Sequence, residues 1–476
     1  MRKHTNKFLG AVCALFLLFS PVFGQIGTRF PSERKVIKDP VTGAELVFLT
    51  SQQGKGDRKI YQTHNQWTSD GKWLIFGSSR AQGEAIAVNE ETGVMVQVTE
   101  GGYTGMLNIA RNSMKLYFMR SVRAPQPAAQ PAAAQPAAGQ PGAAPRNFQR
   151  GDGRVEIVEV DLAKLFADSE AGKLKAASEY QKVCGVTPPE IGAGGDMALD
   201  GGEEVVYFSV GREEAARHLP EGTKLESNFG PRNMGAGPSG IASMDLKTGV
   251  IKHVISVPFQ VGHIQTNPWV PGEIVFCWET GGKAPQRTWT VKADGTGLRP
   301  VFVEAEHDWV THEAVITKDE VAVAIMGHRA IRALDGSVAK VESTTANPGQ
   351  EDGWGISGTR AFATGLAIIN LRTRDYYLAG QTKSGSGLWH VSGSGDGRFA
   401  VGDDFNRDIW LIDRKNNEMM LLSSGHKATA SDHPHPTFSP DGTKIQIQSA
   451  MLSEDNRSMN ICVIKVPEAW LKRTYK

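Results

Sequence analysis

Short apolar runs with alternating character recur along this chain, each entered through an Asp-Gly or related turn and followed by a second strand-like run. The unit repeats roughly every 40 to 50 residues, the spacing expected of propeller blades. The clearest copies are QWTSDGKWLIFGSS with AIAVNEETGVMVQVT, VVYFSVG with GIASMDLKTGVIKHVI, EIVFCWE with RTWTVKADGTGLRPVFV, and RFAVGDD with DIWLIDRKNNEMMLLS. Weaker copies are KLYFMRS with VEIVEVDL and VAVAIMG with GLAIINLRTRDYYLAG, and TFSPDGTKIQIQSA with NICVIKV closes the series at seven. A period of two residues, many turn glycines and no sustained helical period predict four-stranded antiparallel blades. The expected fold is all-β, a seven-bladed β-propeller. A closed ring needs its ends joined, and the early segment AELVFLT at residues 44–50 is expected to supply the outer strand of the last blade. Because no blade buries both faces alone, residues 25–476 are expected to form a single domain.

Composition narrows what such a propeller can do. The chain has 476 residues and a formal net charge of +1, from 52 Lys+Arg against 51 Asp+Glu. No global field therefore favours nucleic acid or an anionic membrane, and any anion must be bound locally. Residues 1–24 join a basic start, MRKHTNK, to the apolar run FLGAVCALFLLF and a small-residue site at Val22-Phe23-Gly24. This pattern predicts a cleaved signal peptide with Gln25 as the mature N-terminus; the apolar run is shorter than the ~20 residues of a membrane span. The expected location is periplasmic or secreted. The remaining cysteines, Cys184, Cys277 and Cys462, are odd in number and lack metal-site spacing, and the last two sit in strand-like runs, so buried free thiols are expected. Residues 124–145, APQPAAQPAAAQPAAGQPGAAP, are low-complexity sequence between the visible strands of blade 2 and read as an unpacked surface loop. Insertions at 211–238 and 328–360 are candidates to wall a site on one face.

Candidate chemistry lies in the histidines. His64, His390 and His435 each stand six residues before an Asp-Gly turn, at Asp70-Gly71, Asp396-Gly397 and Asp441-Gly442. Equal offsets in a repeat predict equivalent positions in space, and the first strand of a blade lines the central channel. His433 and His435 point to the same side of an extended strand. With His390 from the neighbouring blade they form a three-imidazole set suited to a divalent first-row metal. His263 and His312 also precede strand pairs and are expected to reach the same face, and Arg287 in QRTWTV is an unusual charge beside a strand of aromatic and β-branched residues. Asp403-Asp404 is not a hydrolytic carboxylate pair, because adjacent strand residues face opposite ways.

The ordered set KDPVTGAELVFLT, VGHIQTNPW, IVFCWETG, QRTWTVKADGTGLRP, VTHEAV, DHPHPTFSPDG and VPEAW covers nearly the whole mature chain, and it resembles the oligogalacturonate lyases, propeller enzymes that degrade pectate fragments. The resemblance implies a manganese-type divalent ion, Mn2+, held by three histidines and a glutamine. His390, His433 and His435 match the histidines, while Ala430 stands where the glutamine would be, leaving water, Asp432 or His64 to replace it. The resemblance further implies that His312, in Thr311-His312-Glu313, is the catalytic base and Arg287 its support. His263 and His64, expected at the same face, are candidate substrate-binding residues. The implied reaction is metal-dependent β-elimination within a uronate-containing oligosaccharide, giving a 4,5-unsaturated uronate. Two other readings stay open at this point. One is a non-catalytic periplasmic propeller for binding or scaffolding; the other is a lyase for a non-pectic glycan containing glucuronate, iduronate or rhamnose-linked uronate, which the export signal and Ala430 favour. Deleting residues 124–145 is expected to leave the melting temperature and activity unchanged, as a thermal melt and an activity assay would read.

Overall fold

Each apolar run becomes the second strand of its own antiparallel sheet, and there are seven sheets. In this computed structural model the described residues are 24–54, 56–122, 152–228, 234–280, 284–304, 308–326, 364–380, 382 and 387–475. The signal segment up to residue 23, the 124–145 stretch and the 328–360 insertion lie outside them. The second strands are Trp73–Ser78, Lys115–Ser121, Val205–Val210, Glu273–Trp278, Glu320–Met326, Phe399–Asp404 and Lys444–Ser449. Their side chains pack between neighbouring sheets: Phe76, Phe118, Phe208, Phe276 and Phe399 are all fully buried. Burial on both faces explains why these segments read as continuous apolar runs.

The first strands are Asp57–Lys59, Thr104–Ile109, Gly194–Leu199, Val261–Thr266, Val310–Thr317, Leu388–Gly393 and Thr437–Phe438. From blade 2 to blade 7 each lies against the first strand of the next blade, and Asp57–Lys59 lies against the last sheet, so the ring closes. The closing device is the expected one. Glu45–Phe48 pairs with the C-terminal strand Asn460–Lys465 in the register Leu46↔Ile464, Val47↔Val463 and Phe48↔Cys462. Two sheets exceed four strands, because Lys35–Lys38 adds an edge to the last blade and Arg29–Phe30 adds one to the first.

The repeated turn takes one form at the three matched places. Thr68, Ser394 and Ser439 each donate a hydroxyl proton to the aspartate two residues on, at 2.6, 2.6 and 2.5 Å. Gly71, Gly397 and Gly442 then adopt φ of 69°, 72° and 70°, the left-handed region that costs glycine least.

One element escaped the blade pattern. Blade 2 carries a helix, Leu162–Glu170, capped by Asp161, whose side chain accepts the Lys164 backbone N–H. It buries Leu162, Leu165 and Phe166 on one side, and the Phe166 ring stacks on Trp73 at 4.3 Å. The described part of the 211–238 insertion holds a short helix, Arg212–Arg217. Cys184, Cys277 and Cys462 are buried and free. No helix among the described residues is long and apolar enough to cross a membrane.

Phe48 is fully buried in the closing blade, so Phe48→Ala is expected to cost about 3–5 kcal/mol. A denaturant titration should show the loss as one cooperative transition shifted to lower midpoint.

Candidate active site

At the first strands of blades 4, 5 and 6 the ladder breaks register at a histidine. The breaks lie between Gly262 and Gln265, Thr311 and Glu313, and Leu388 and Val391. A bulge re-aims the side chain it carries. His263 and His312 take φ of 50° and 46°, where blades 2 and 3 place Gly105 and Gly195 at 68° and 72°. His435, before the first strand of blade 7, has φ 51°. Non-glycine residues in this region are strained and concentrate at functional sites. Imidazoles from four blades meet at one mouth of the channel: ring centroids lie 6.1 Å apart for His263 and His312, 4.2 Å for His312 and His390, 3.7 Å for His390 and His435, and 5.0 Å for His390 and His433.

Two fully buried carboxylates organise this cluster. Glu313 accepts Arg287 Nε–H at 3.0 Å through one oxygen and meets His263 Nδ1 at 2.9 Å through the other. Burial would raise its pKa, but Arg287 and His263 outweigh burial and hold it at about 2. Arg287 also lies 3.6 Å from Glu279, and Glu304 fixes its backbone by accepting the N–H groups of Arg287 and Thr288 at 2.8 and 3.2 Å. Asp403 accepts the backbone N–H of His390 at 2.8 Å and of His435 at 3.1 Å, and both its oxygens lie 3.1 Å from His390 Nδ1. Burial opposes its ionisation, yet His390 and His433 keep it well below the usual carboxylate range. Asp404 turns the other way, accepting Asn406 N–H and Trp410 Nε1–H in a loop. The expectation that these neighbours do not form a carboxylate pair holds.

His312 is the imidazole best placed as a base. Burial, followed by the fields of His390, Arg287 and His263, lowers its pKa well below 6.5, so the ring is neutral at neutral pH. Its Nδ1 lies 2.6 Å from Tyr61 Oη. Tyr61 stands near the middle of the cluster, with ring centroids 5.0 Å from His263 and 5.1 Å from His435. Lys59, on the same chain segment, is buried with Nζ on Ile60 O and Thr437 Oγ1; burial, against Asp432 and Asp403, lowers its pKa to about 7.

The structure changes the composition of the proposed metal set. His390, Asp403 and His433 each offer one ligand atom, and all three atoms lie within 4.8 Å of one another. His433 Nδ1 is buried, 3.6 Å from Asp403, and has no hydrogen-bond partner among the described residues, a costly state that a bound cation would relieve. Two imidazoles and a carboxylate suit a divalent first-row metal, so the residues fit one. His435 stands beside this set rather than in it, because Nε2 meets Asp432 at 3.0 Å and Nδ1 meets the Gln62 side chain at 2.9 Å. His64 is further removed: Nε2 donates to Met197 O at 2.8 Å and Nδ1 pairs with Thr63 Oγ1 at 2.7 Å. Both ring nitrogens of His64 are thus hydrogen-bonded to the chain itself. Asp432 is likewise occupied, by His435 and Gln448. The structure therefore gathers His263, Arg287, His312, His390, His433 and His435 and adds Asp403 and Glu313, which the sequence named without a role at the site, and Tyr61, which no motif marked.

No protein-family model matches the chain, and no curated protein matches it by sequence. Solved structures do match by shape. An oligogalacturonate lyase in complex with manganese superposes with a TM-score of 0.65 at 18% identity, covering 94% of this chain and 100% of that one. An oligogalacturonate lyase from Vibrio parahaemolyticus superposes with a TM-score of 0.64 at 16% identity, with the same coverage. At these identities the likeness shows a shared propeller fold.

Asp403→Asn and His433→Ala are each expected to lower bound divalent metal at least ~10-fold, given what ligand-shell changes cost elsewhere. His64→Gln should leave metal content unchanged. Elemental analysis after dialysis against buffered Mn2+ reads all three.

Proposed function

We propose that this channel mouth catalyses β-elimination at a uronate residue within an oligosaccharide, with Mn2+ or a similar divalent ion as cofactor. The observation that carries the reading is a neutral imidazole, His312, held between a buried arginine and a set of residues fit for a cation. A proton on C5 of a uronate is poorly acidic while the neighbouring carboxylate is ionised, because its removal builds further negative charge. A divalent ion held by His390, Asp403 and His433 would supply positive charge to that carboxylate and the developing enolate. Arg287, fixed by Glu313 and Glu304, adds a second cationic group whose orientation needs no rearrangement during the reaction. His312 Nε2 has no hydrogen-bond partner among the described residues, so its lone pair is free to take the C5 proton as general base. His263, paired with Glu313 and Glu279 and with its ring 6.1 Å from that of His312, is a candidate to line the sugar's site. The similarity in shape to oligogalacturonate lyases supports the same chemistry. We further propose that residues 1–24 direct export, so that the substrate is met outside the cytoplasm.

The test is ultraviolet absorbance of the unsaturated uronate, with purified protein, Mn2+ and a panel of uronate oligosaccharides; a rise abolished by chelator supports the proposal, and no rise on any member contradicts it. His312→Ala is expected to abolish turnover at unchanged metal content, whereas His433→Ala loses both. The base acts unprotonated and its pKa lies below 6.5, so activity should persist as pH falls through 6.5, and the acid limb of the kcat/KM profile should lie below that value. A bound cation lowers the His312 pKa further, in the same direction.

A further inference from the structure

Blade 4 brings a second set of metal-binding atoms together, apart from His390, Asp403 and His433. His263 Nε2 lies 3.3 Å from Glu279 Oε2, and Cys277 Sγ lies 3.7 Å from the same oxygen. One ligand atom from each of the three residues falls within 4.8 Å of the other two. Bonds of about 2.0–2.3 Å to nitrogen, oxygen and sulfur set ligand atoms roughly 3.4–3.6 Å apart around a tetrahedral zinc-type ion, so the two measured edges match one with little movement. The approach depends on Gly262, where a Cβ would stand 2.6 Å from that of Glu279. Glu313 supplies a further sign. It is fully buried and ion-paired to Arg287 Nε at 3.0 Å, so it only accepts hydrogen bonds, and its 2.9 Å contact with His263 Nδ1 is donated by the imidazole. That leaves Nε2 as the nitrogen for an ion, and a carboxylate behind the ring is the usual support of a metal-bound histidine.

We propose that His263, Cys277 and Glu279 form a second metal site, for a thiophilic divalent ion of the zinc type. The site stands whether or not the channel mouth is a lyase. A thiolate, an imidazole and a carboxylate make a softer set than two imidazoles and a carboxylate, so they select Zn2+ where His390, Asp403 and His433 would accept Mn2+. The ion enters from the channel. His263 and Glu279 keep side-chain exposures of 20% and 15%, while Cys277 behind them is fully buried. The fourth position stays open on the channel side, as at other zinc sites with three protein ligands. Burial pushes the Cys277 thiol well above its ordinary pKa, so it is protonated until an ion arrives. Binding forms the metal–sulfur bond, sends the thiol proton and any proton on His263 Nε2 to solvent, and oxidises nothing. The opposing charge is Arg287, whose Nη2 lies 3.6 Å from Glu279 and 3.3 Å from His263 Nδ1. With the thiol ionised, Glu279, Glu313 and Cys277 carry three negative charges against two on the ion and one on Arg287, so the filled site is neutral.

The experiment titrates the full-length chain with Co2+ in place of Zn2+, because a cobalt–thiolate bond gives an ultraviolet charge-transfer band that nitrogen and oxygen ligands do not. Wild type, Cys277→Ala, Glu279→Gln and His433→Ala are compared, with no substrate present. The band is expected in wild type and in His433→Ala and absent from Cys277→Ala. Glu279→Gln should need at least ~10-fold more Co2+ to develop it, given what changes in a ligand shell cost elsewhere. After dialysis against Zn2+, elemental analysis should find one equivalent fewer on Cys277→Ala than on wild type. No band in wild type overturns the site, and that reading needs no variant to fold. A band that survives Cys277→Ala, or equal zinc on Cys277→Ala and wild type, overturns it too. Loss of the band in His433→Ala overturns the separation of the two sites. Where Cys277→Ala fails to fold, Glu279→Gln, which keeps the thiol, decides: an unshifted titration contradicts the assignment.

Discussion

Burying carboxylates at the channel mouth is the constraint on which the rest of this structure depends. Glu313 and Asp403 are removed from water completely, and a buried charge is tolerated only when paired and hydrogen-bonded. Glu313, on blade 5, meets that demand with His263 and Arg287 of blade 4. Asp403, on blade 6, meets it with His390 of its own blade and the backbone of His435 in blade 7. Each carboxylate therefore fastens neighbouring blades at the axis and at the same time fixes the imidazoles that would do chemistry there. Positioning and stability are in this respect one set of bonds.

The same arrangement separates two electrostatic environments within a few ångströms. On the His312 side, cationic neighbours and burial keep an imidazole neutral, as a base must be. On the Asp403 side, an anionic carboxylate sits between imidazoles, one of which holds a buried nitrogen 3.6 Å from it with no hydrogen-bond partner among the described residues. A cation would complete the second environment and deepen the first. The backbone at His263, His312 and His435 is strained at this same mouth, where such residues concentrate when a site requires them.

Much of the fold was legible because its signals are local and periodic. The seven apolar runs, their Asp-Gly turns and the closing strand Glu45–Phe48 follow from a period of two and from glycine's conformational freedom, both of which are written in consecutive residues. The helix Leu162–Glu170 does carry apolar residues at 162, 165 and 166, a helical spacing, but nine residues between strands are too few to stand out from the repeat. The site was legible only in part. His390 and His433 were marked by the repeat and by His-Pro-His, and His263 and His312 by sitting at strand starts. Asp403 looked like one half of a meaningless acidic pair, and only the sheet register shows that it faces the axis while Asp404 does not. Tyr61 lies in an irregular segment after a three-residue strand, where no periodicity predicts direction. His64 shows the limit of the repeat argument, for its turn is the same as the others, yet its ring nitrogens are claimed by Thr63 and by the backbone of blade 3.

The central claim is that the bond to the C4 oxygen breaks by elimination, and the most direct measurement is mass spectrometry of the products formed from a uronate oligosaccharide in water enriched in heavy oxygen. The account predicts products without label, one of them lighter by the mass of a water molecule than a hydrolytic fragment and carrying a carbon–carbon double bond. Incorporation of label into fragments that carry no double bond would contradict it and assign the channel mouth to a hydrolase.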